Sequence, residues 1–320
     1  MAHESTRDRS PAVIAEHVLV TTDGSDAANR AIPLALAAIQ TCGSPRVTLL
    51  CVLTPKRGTP VHALECAMAR AHAEANLQRL AEQLPWRDRV TSIVADGRAA
   101  DQILHYVEAH DVDLIVISSH GKGGSQTWRM GSTTHKVIAS GAASVLVVPT
   151  DPEPGPLTSV LVPLDCSARA ECVLPLATKL AETHAAELVL AHVVPRPEIP
   201  HRMPPGQRER ELVDELTRHN HERARDYLEG ILDRLTTRKI RARIELLTDT
   251  NPGRALERLA KTSPSELVLL CAHGSGCQQG EHYGSTARRL LDSLVKPLWI
   301  VQDLPALAPS FLAQSSSARS

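Results

Sequence analysis

The residues of this chain best suited to chemistry lie in two loops. The first runs Ser118-Ser119-His120-Gly121-Lys122-Gly123-Gly124-Ser125-Gln126-Thr127-Trp128-Arg129-Met130-Gly131-Ser132-Thr133 and follows the apolar run Leu114-Ile115-Val116-Ile117. A short β-branched run bounded by turn formers suits a strand buried on both faces of a parallel sheet. Gly121, Gly123 and Gly124 can take positive φ and let an anion approach the main chain, while Gly131-Ser132-Thr133 sets small donors where a helix begins. The stretch reads as a phosphate loop. Lys122 and Arg129 would each add about 1.5–3 kcal/mol by reaching phosphate oxygens. Nine residues separate Gly121 from Gly131, and the spacing returns 153 residues on, as Cys271-Ala272-His273-Gly274, nine residues, then Gly284-Ser285-Thr286. One unit is written twice, unequally. The second loop holds no Lys or Arg between its glycines and does hold Glu281, which repels phosphate unless directed away, so the first copy is the better triphosphate site.

Loops of this kind need a partner from another element. In an open parallel sheet, ligands sit beyond the carboxyl ends of the strands, where the strand order reverses beside the first strand. Residues 18–22 read as that first strand, ending at Asp23-Gly24-Ser25-Asp26 before an Ala- and Leu-rich helix over 27–39. Strands over 47–53, 90–94 and 144–149 alternate with helices over 63–84, 99–109 and 132–139. The pattern predicts an α/β fold with right-handed crossovers. Asp151-Pro152-Glu153-Pro154-Gly155-Pro156 is a stiff linker, after which Val160-Leu161-Val162-Pro163-Leu164-Asp165-Cys166-Ser167 repeats the first strand and turn 142 residues on. Two domains follow, 15–150 and 158–303. The second carries a Pro- and charge-rich insert over 196–210 and a helix over 211–235, and the tail after 303 is polar and expected to be disordered. If the first and fourth strands are neighbours, Asp23 and Gly121 share one crevice.

Composition narrows the partners. Net charge is -1 with interspersed signs, and aromatics are 2%, which argues against nucleic acid and anionic membranes. Seven scattered cysteines fit reduced thiols rather than a secreted disulfide framework, and neither a signal peptide nor a membrane span is legible. The expectation is a soluble cytoplasmic protein with a small-molecule ligand.

Strand-Asp-Gly-Ser, then strand-Ser/Thr-x2-Gly-x9-Gly-Ser, then a Val-Leu-Val-Val-Pro strand resembles the universal stress protein family in its tandem form, over both halves of the chain. The resemblance implies two Rossmann-like, five-stranded parallel sheets of order 3-2-1-4-5. It also implies ATP, with or without Mg2+, as the ligand: glycines and hydroxyl on phosphates and ribose, the first-strand Asp at the nucleoside end, and a second-strand Val near adenine. By position this implicates Asp23, Val52, Gly121, Gly131 and Ser132 in the first copy, and Asp165, Val193, Gly274, Gly284 and Ser285 in the second. Ser118, Lys122 and Thr133 complete the candidate set of the first loop. Two departures stand out: Ser118 and Cys271 replace the first motif glycine, and Asp-Gly-Ser becomes Asp-Cys-Ser in the second copy. Ser118 either crowds a phosphate or donates to it. The resemblance further implies pairing through the last strand, giving an intramolecular pseudo-dimer of the two domains, with homodimerisation open.

Several plainer readings remain beside this one. Asp23 and Asp165 could be helix N-caps. His120 and His273 have no nucleophile placed beside them, and Cys271, His273, Cys277 and His282 lack standard zinc spacing and have no counterpart in the first copy, so neither catalytic nor metal residues are expected. No Walker motif is present, so ATP hydrolysis should be slow or absent. The competing functions are an interaction module with vestigial sites and, less favoured, a nucleotide-dependent enzyme.

Overall fold

The computed structural model describes residues 15–25, 28–29, 32–53, 63–84, 87–121, 130–150, 155–197, 206–275 and 283–302. Lys122, Arg129, Glu281, the tail after 302 and part of the insert after 196 lie outside these residues. The first copy contains β1 (His17–Thr22), α1 (Ile32–Thr41), β2 (Arg46–Leu53), α2 (Ala63–Gln83), β3 (Val90–Asp96), α3 (Ala99–His110), β4 (Leu114–Ser118), α4 (Ser132–Ala139) and β5 (Ser144–Val148). The second contains β6 (Ser159–Pro163), α5 (Leu174–His184), β7 (Glu187–Pro195), α6 (Gln207–Thr237), β8 (Ala242–Asp249), α7 (Pro252–Thr262), β9 (Leu267–Cys271), α8 (Ser285–Ser293) and β10 (Leu298–Val301). The chain divides into two compact units, one built on the residues up to Pro154 together with β10, the other on Gly155–Lys296.

In the first unit the strands are all parallel, as the alternating pattern predicts, in the order β3-β2-β1-β4-β5 that the family resemblance implies. Consecutive residues of β1 and β4, from Val18 to Val20 and from Leu114 to Ile117, are all buried. Successive strand side chains point to opposite faces, so both faces of this sheet are covered. Helix α2 packs on β2 and β3, and α1 reaches β5. The edge of β5 pairs antiparallel with β10, Trp299 opposite Leu146 and Ile300 opposite Val145. That pairing covers the apolar edge that an exposed strand must otherwise protect.

The second unit repeats the order as β8-β7-β6-β9, again parallel. Its crossover helix α6 is 31 residues long against 21 for α2, which accounts for most of the added chain. The register also aligns the two copies internally. Thr21 pairs with Leu50 and Pro163 with Ala191, so Val52 and Val193 occupy equivalent positions on their second strands.

Candidate functional site

β1 and β4 lie side by side and point the same way, with Val18 opposite Leu114 and Val20 opposite Val116. Their carboxyl ends therefore deliver Asp23 and Gly121 to one crevice. The approach is close enough that a Cβ on Gly121 would stand 2.5 Å from Asp23 Oδ2. Gly121 is not among the residues with positive φ, so glycine is required here by proximity and not by the left-handed backbone that sequence alone suggests. In the second unit a Cβ on Gly274 would likewise collide with Asp165 Oδ2.

The loops close in the same way. The Gly131 N–H donates to the Ser119 carbonyl at 2.8 Å, and the Gly284 N–H donates to the Ala272 carbonyl at 2.9 Å. Each bond draws the end of the nine-residue segment back to its start and sets the N-terminus of α4 or α8 beside the strand end, with Gly131 and Gly284 as the N-cap residues. Thr134, one turn into α4, donates its hydroxyl to the Ser118 carbonyl at 2.9 Å and fixes that helix to β4. Ser132 is exposed, while Gly131 and Thr133 are half-buried.

Ser118 makes a contact that the sequence did not suggest. Its hydroxyl donates to the His120 carbonyl at 2.9 Å, tying the loop to itself. Next to it, Ser119 Oγ lies 3.1 Å from His120 Nδ1 and 3.2 Å from Thr150 Oγ1. His120 is thus a loop-bracing residue, held from β4 and from the segment after β5.

The carboxylates are not helix caps. Asp23 Oδ1 accepts the Ser25 N–H at 2.9 Å, and it is Ser25 Oγ that accepts the Ala28 N–H. The second copy matches: Asp165 Oδ1 accepts the Ser167 N–H, and Ser167 Oγ accepts the Ala170 N–H at 3.1 Å. A serine two residues on takes the capping role, which leaves each Asp turned to the opposite loop. Asp165 Oδ2 accepts the Ser275 N–H at 2.5 Å, so carboxylate and loop backbone are directly joined. Burial pushes Asp165 up, but the Ser167 hydroxyl and the Ser275 and Ser167 N–H groups outweigh it and hold its carboxyl below the usual range.

The two crevices differ in charge beyond their loops. Glu171, the equivalent of Asn29, is buried, and its Oε1 accepts the Tyr227 hydroxyl at 2.9 Å. Burial and then this carboxylate push the Tyr227 phenol up. Cys166 takes the positive φ (62°) of its counterpart Gly24 (73°), and its thiol is pushed up to about 11 by burial and then by the charges of Asp165 and Glu171. The second unit thus carries a buried carboxylate, Glu171, near its Asp165 loop where the first unit carries the amide Asn29. Val193 is 5% exposed while Val52 is half-buried, so the first crevice also keeps more apolar surface for a base.

Two runs of parallel strands, each with a carboxylate and a glycine-closed loop at the strand ends, define a duplicated α/β fold. The universal stress protein family matches residues 15–149 and 157–302, and the chain belongs to that family. A universal stress protein encoded in the QAH/OAS sulfhydrylase 3′ region of Thermus aquaticus is 30% identical over 134 residues, 41% of this chain and 96% of that protein. Universal stress protein Rv1996 of Mycobacterium tuberculosis is 36% identical over 74 residues, 21% of this chain and 23% of that protein. That match therefore spans less than a quarter of that relative's length. The crystal structure of a universal stress protein from Archaeoglobus fulgidus superposes with a TM-score of 0.62 at 16% identity, over 90% of this chain and 98% of that one, a likeness of fold.

No helix among the described residues is long and apolar enough to cross a membrane. Sequence reasoning missed Thr134 and the buried Glu171, and it read His120 as a loop-stabilising hydrogen-bonding residue without identifying Ser119 and Thr150 as its partners. A Glu facing an Asn between otherwise aligned copies was the available signal for the last.

Proposed function

We propose that this protein binds ATP in the crevice of its first unit and acts as a nucleotide-dependent stress or regulatory factor, with slow or no hydrolysis. The observation that carries the reading is the contact of Gly121 with Asp23, where a backbone stripped of its side chain meets a carboxylate at the N-terminal end of α4. Nucleoside hydroxyls suit the carboxylate, and phosphates suit the loop N–H groups and the helix terminus. The helix terminus contributes at most about 2 kcal/mol and micromolar affinity needs about 8, so charge-assisted bonds must supply much of the rest. Lys122 and Arg129 are the cations the sequence places for this, with Ser118 bracing the loop rather than touching phosphate.

The second crevice, with Asp165, Val193, Gly274, Gly284 and Ser285, is proposed as the weaker nucleotide site because Glu171 and Glu281 add negative charge there. Mg2+ would accompany the triphosphate as its counter-ion, held by phosphate oxygens. Mass spectrometry of the gently purified, then denatured protein tests the reading. Adenine nucleotide at about one per chain, lost in Asp23→Ala and kept in Asp165→Ala, is expected. Absence of nucleotide, together with no binding of added ATP, would favour an interaction module with vestigial sites.

A further inference from the structure

Cys271 replaces a motif glycine at the end of β9, and Cys172 lies in a 3-10 turn, Ala170–Val173, that follows the β6 carboxylate loop. These elements pack against each other, and the Cys172 S–H donates to Cys271 Sγ at a sulfur–sulfur distance of 3.2 Å. A disulfide requires about 2.05 Å, so an approach of about 1 Å closes the bond. Cys172 is half-buried and Cys271 is 7% exposed, which gives the pair one sulfur within reach of solvent and one behind it. Among the described residues, burial pushes the Cys42 thiol up to about 12 and the Cys166 thiol up to about 11, and Cys66 lies exposed on α2.

We propose that Cys172 and Cys271 are a redox centre, a dithiol that a hydroperoxide converts to an intramolecular disulfide. The Cys172 thiolate attacks the peroxide; an S–O bond forms, the O–O bond breaks, and the departing oxygen takes a proton and leaves as water or an alcohol. The Cys271 thiolate then attacks the sulfur of that sulfenic acid. The S–S bond forms, the S–O bond breaks, and the hydroxyl leaves with a proton as water. Two thiols lose two electrons and two protons, and the peroxide is reduced. The product ties together positions 99 apart in sequence and links the arm bearing Asp165 covalently to the arm bearing Gly274 and Ser275, whose Ser275 N–H already donates to Asp165. Its formation does not depend on nucleotide binding.

Reduced, full-length protein is treated with one equivalent of hydrogen peroxide, alkylated, and mapped without reductant. A peptide joining Cys172 to Cys271, two hydrogens lighter than its parts, is expected, and dithiothreitol reverses it. The unfolding transition of the second unit should rise by on the order of 5–10 °C and fall back on reduction. Cys172→Ser and Cys271→Ala should each abolish both effects. Peroxide that carries Cys172 to the sulfinic acid without a link, or a link to Cys277 or to another chain instead, would overturn the proposal.

Discussion

Replacing Gly121 with Ala tests whether proximity to Asp23 is the constraint on the first loop. The new Cβ would stand 2.5 Å from Asp23 Oδ2, about 1 Å inside an ordinary contact. Either the carboxylate retreats and gives up the Ser25 N–H, or the loop shifts away from Ser119. Overpacking of this kind costs about 1–3 kcal/mol, which lowers the transition of a unit this size by about 3–10 °C. The decisive assay is a double-mutant cycle by calorimetry or urea denaturation on the parent, Gly121→Ala, Asp23→Ala and the double variant. With the carboxylate gone the added methyl has room, and Gly121 has no positive φ to lose, so the alanine should cost less than about 0.5 kcal/mol in that background. The coupling should then be about 1 kcal/mol or more. An equal loss with and without Asp23 would refute the reasoning and point to backbone strain.

Other consequences are independent of the loop. Asn251 caps α7 by accepting the Arg254 N–H at 2.9 Å, so Asn251→Ala should cost about 1 kcal/mol in the second unit's urea midpoint. Asp165 is held below its unfolded value, so its contribution is complete above about pH 4 and is lost as pH falls from there through its native value. The pH dependence of stability below about pH 4 should accordingly flatten in Asp165→Asn. Burial lowers the His17 imidazole, which lies between the His110 carbonyl and Thr48 Oγ1 with Arg46, Asp113 and Tyr106 around it. The fold prefers the neutral ring, so this part of the stability is full above about pH 6.5 and declines below it, and His17→Gln should remove that decline in an acid titration of the first unit.

The parallel α/β pattern was legible because β1, β4 and their counterparts are short, β-branched and bounded by turn formers, and because duplication let each copy check the other, whereas the strand order came from the resemblance to a known family. The meeting of Asp23 with Gly121 was legible only conditionally. It follows once β1 and β4 are neighbours, which crossover rules favour but spacing cannot prove. What was not legible is the direction of small polar groups. Ser118 binds its own loop and Ser25 takes the capping role that was the plainer alternative for Asp23, because hydroxyl partners depend on backbone turns that leave no periodic trace. The Cys172–Cys271 contact was hidden for a related reason: Cys271 reads as a departure from a motif and Cys172 as a filler until β9 and the turn after β6 are brought together.

Calorimetric titration of ATP into the full-length, reduced protein, run in parallel on Asp23→Ala and Asp165→Ala, tests the central claim most directly. Binding in the micromolar range that Asp23→Ala weakens by tenfold or more, the loss of about 1.4 kcal/mol, and that Asp165→Ala leaves in place is the predicted result. No heat of binding in the parent protein, or equal losses in the two variants, would contradict it.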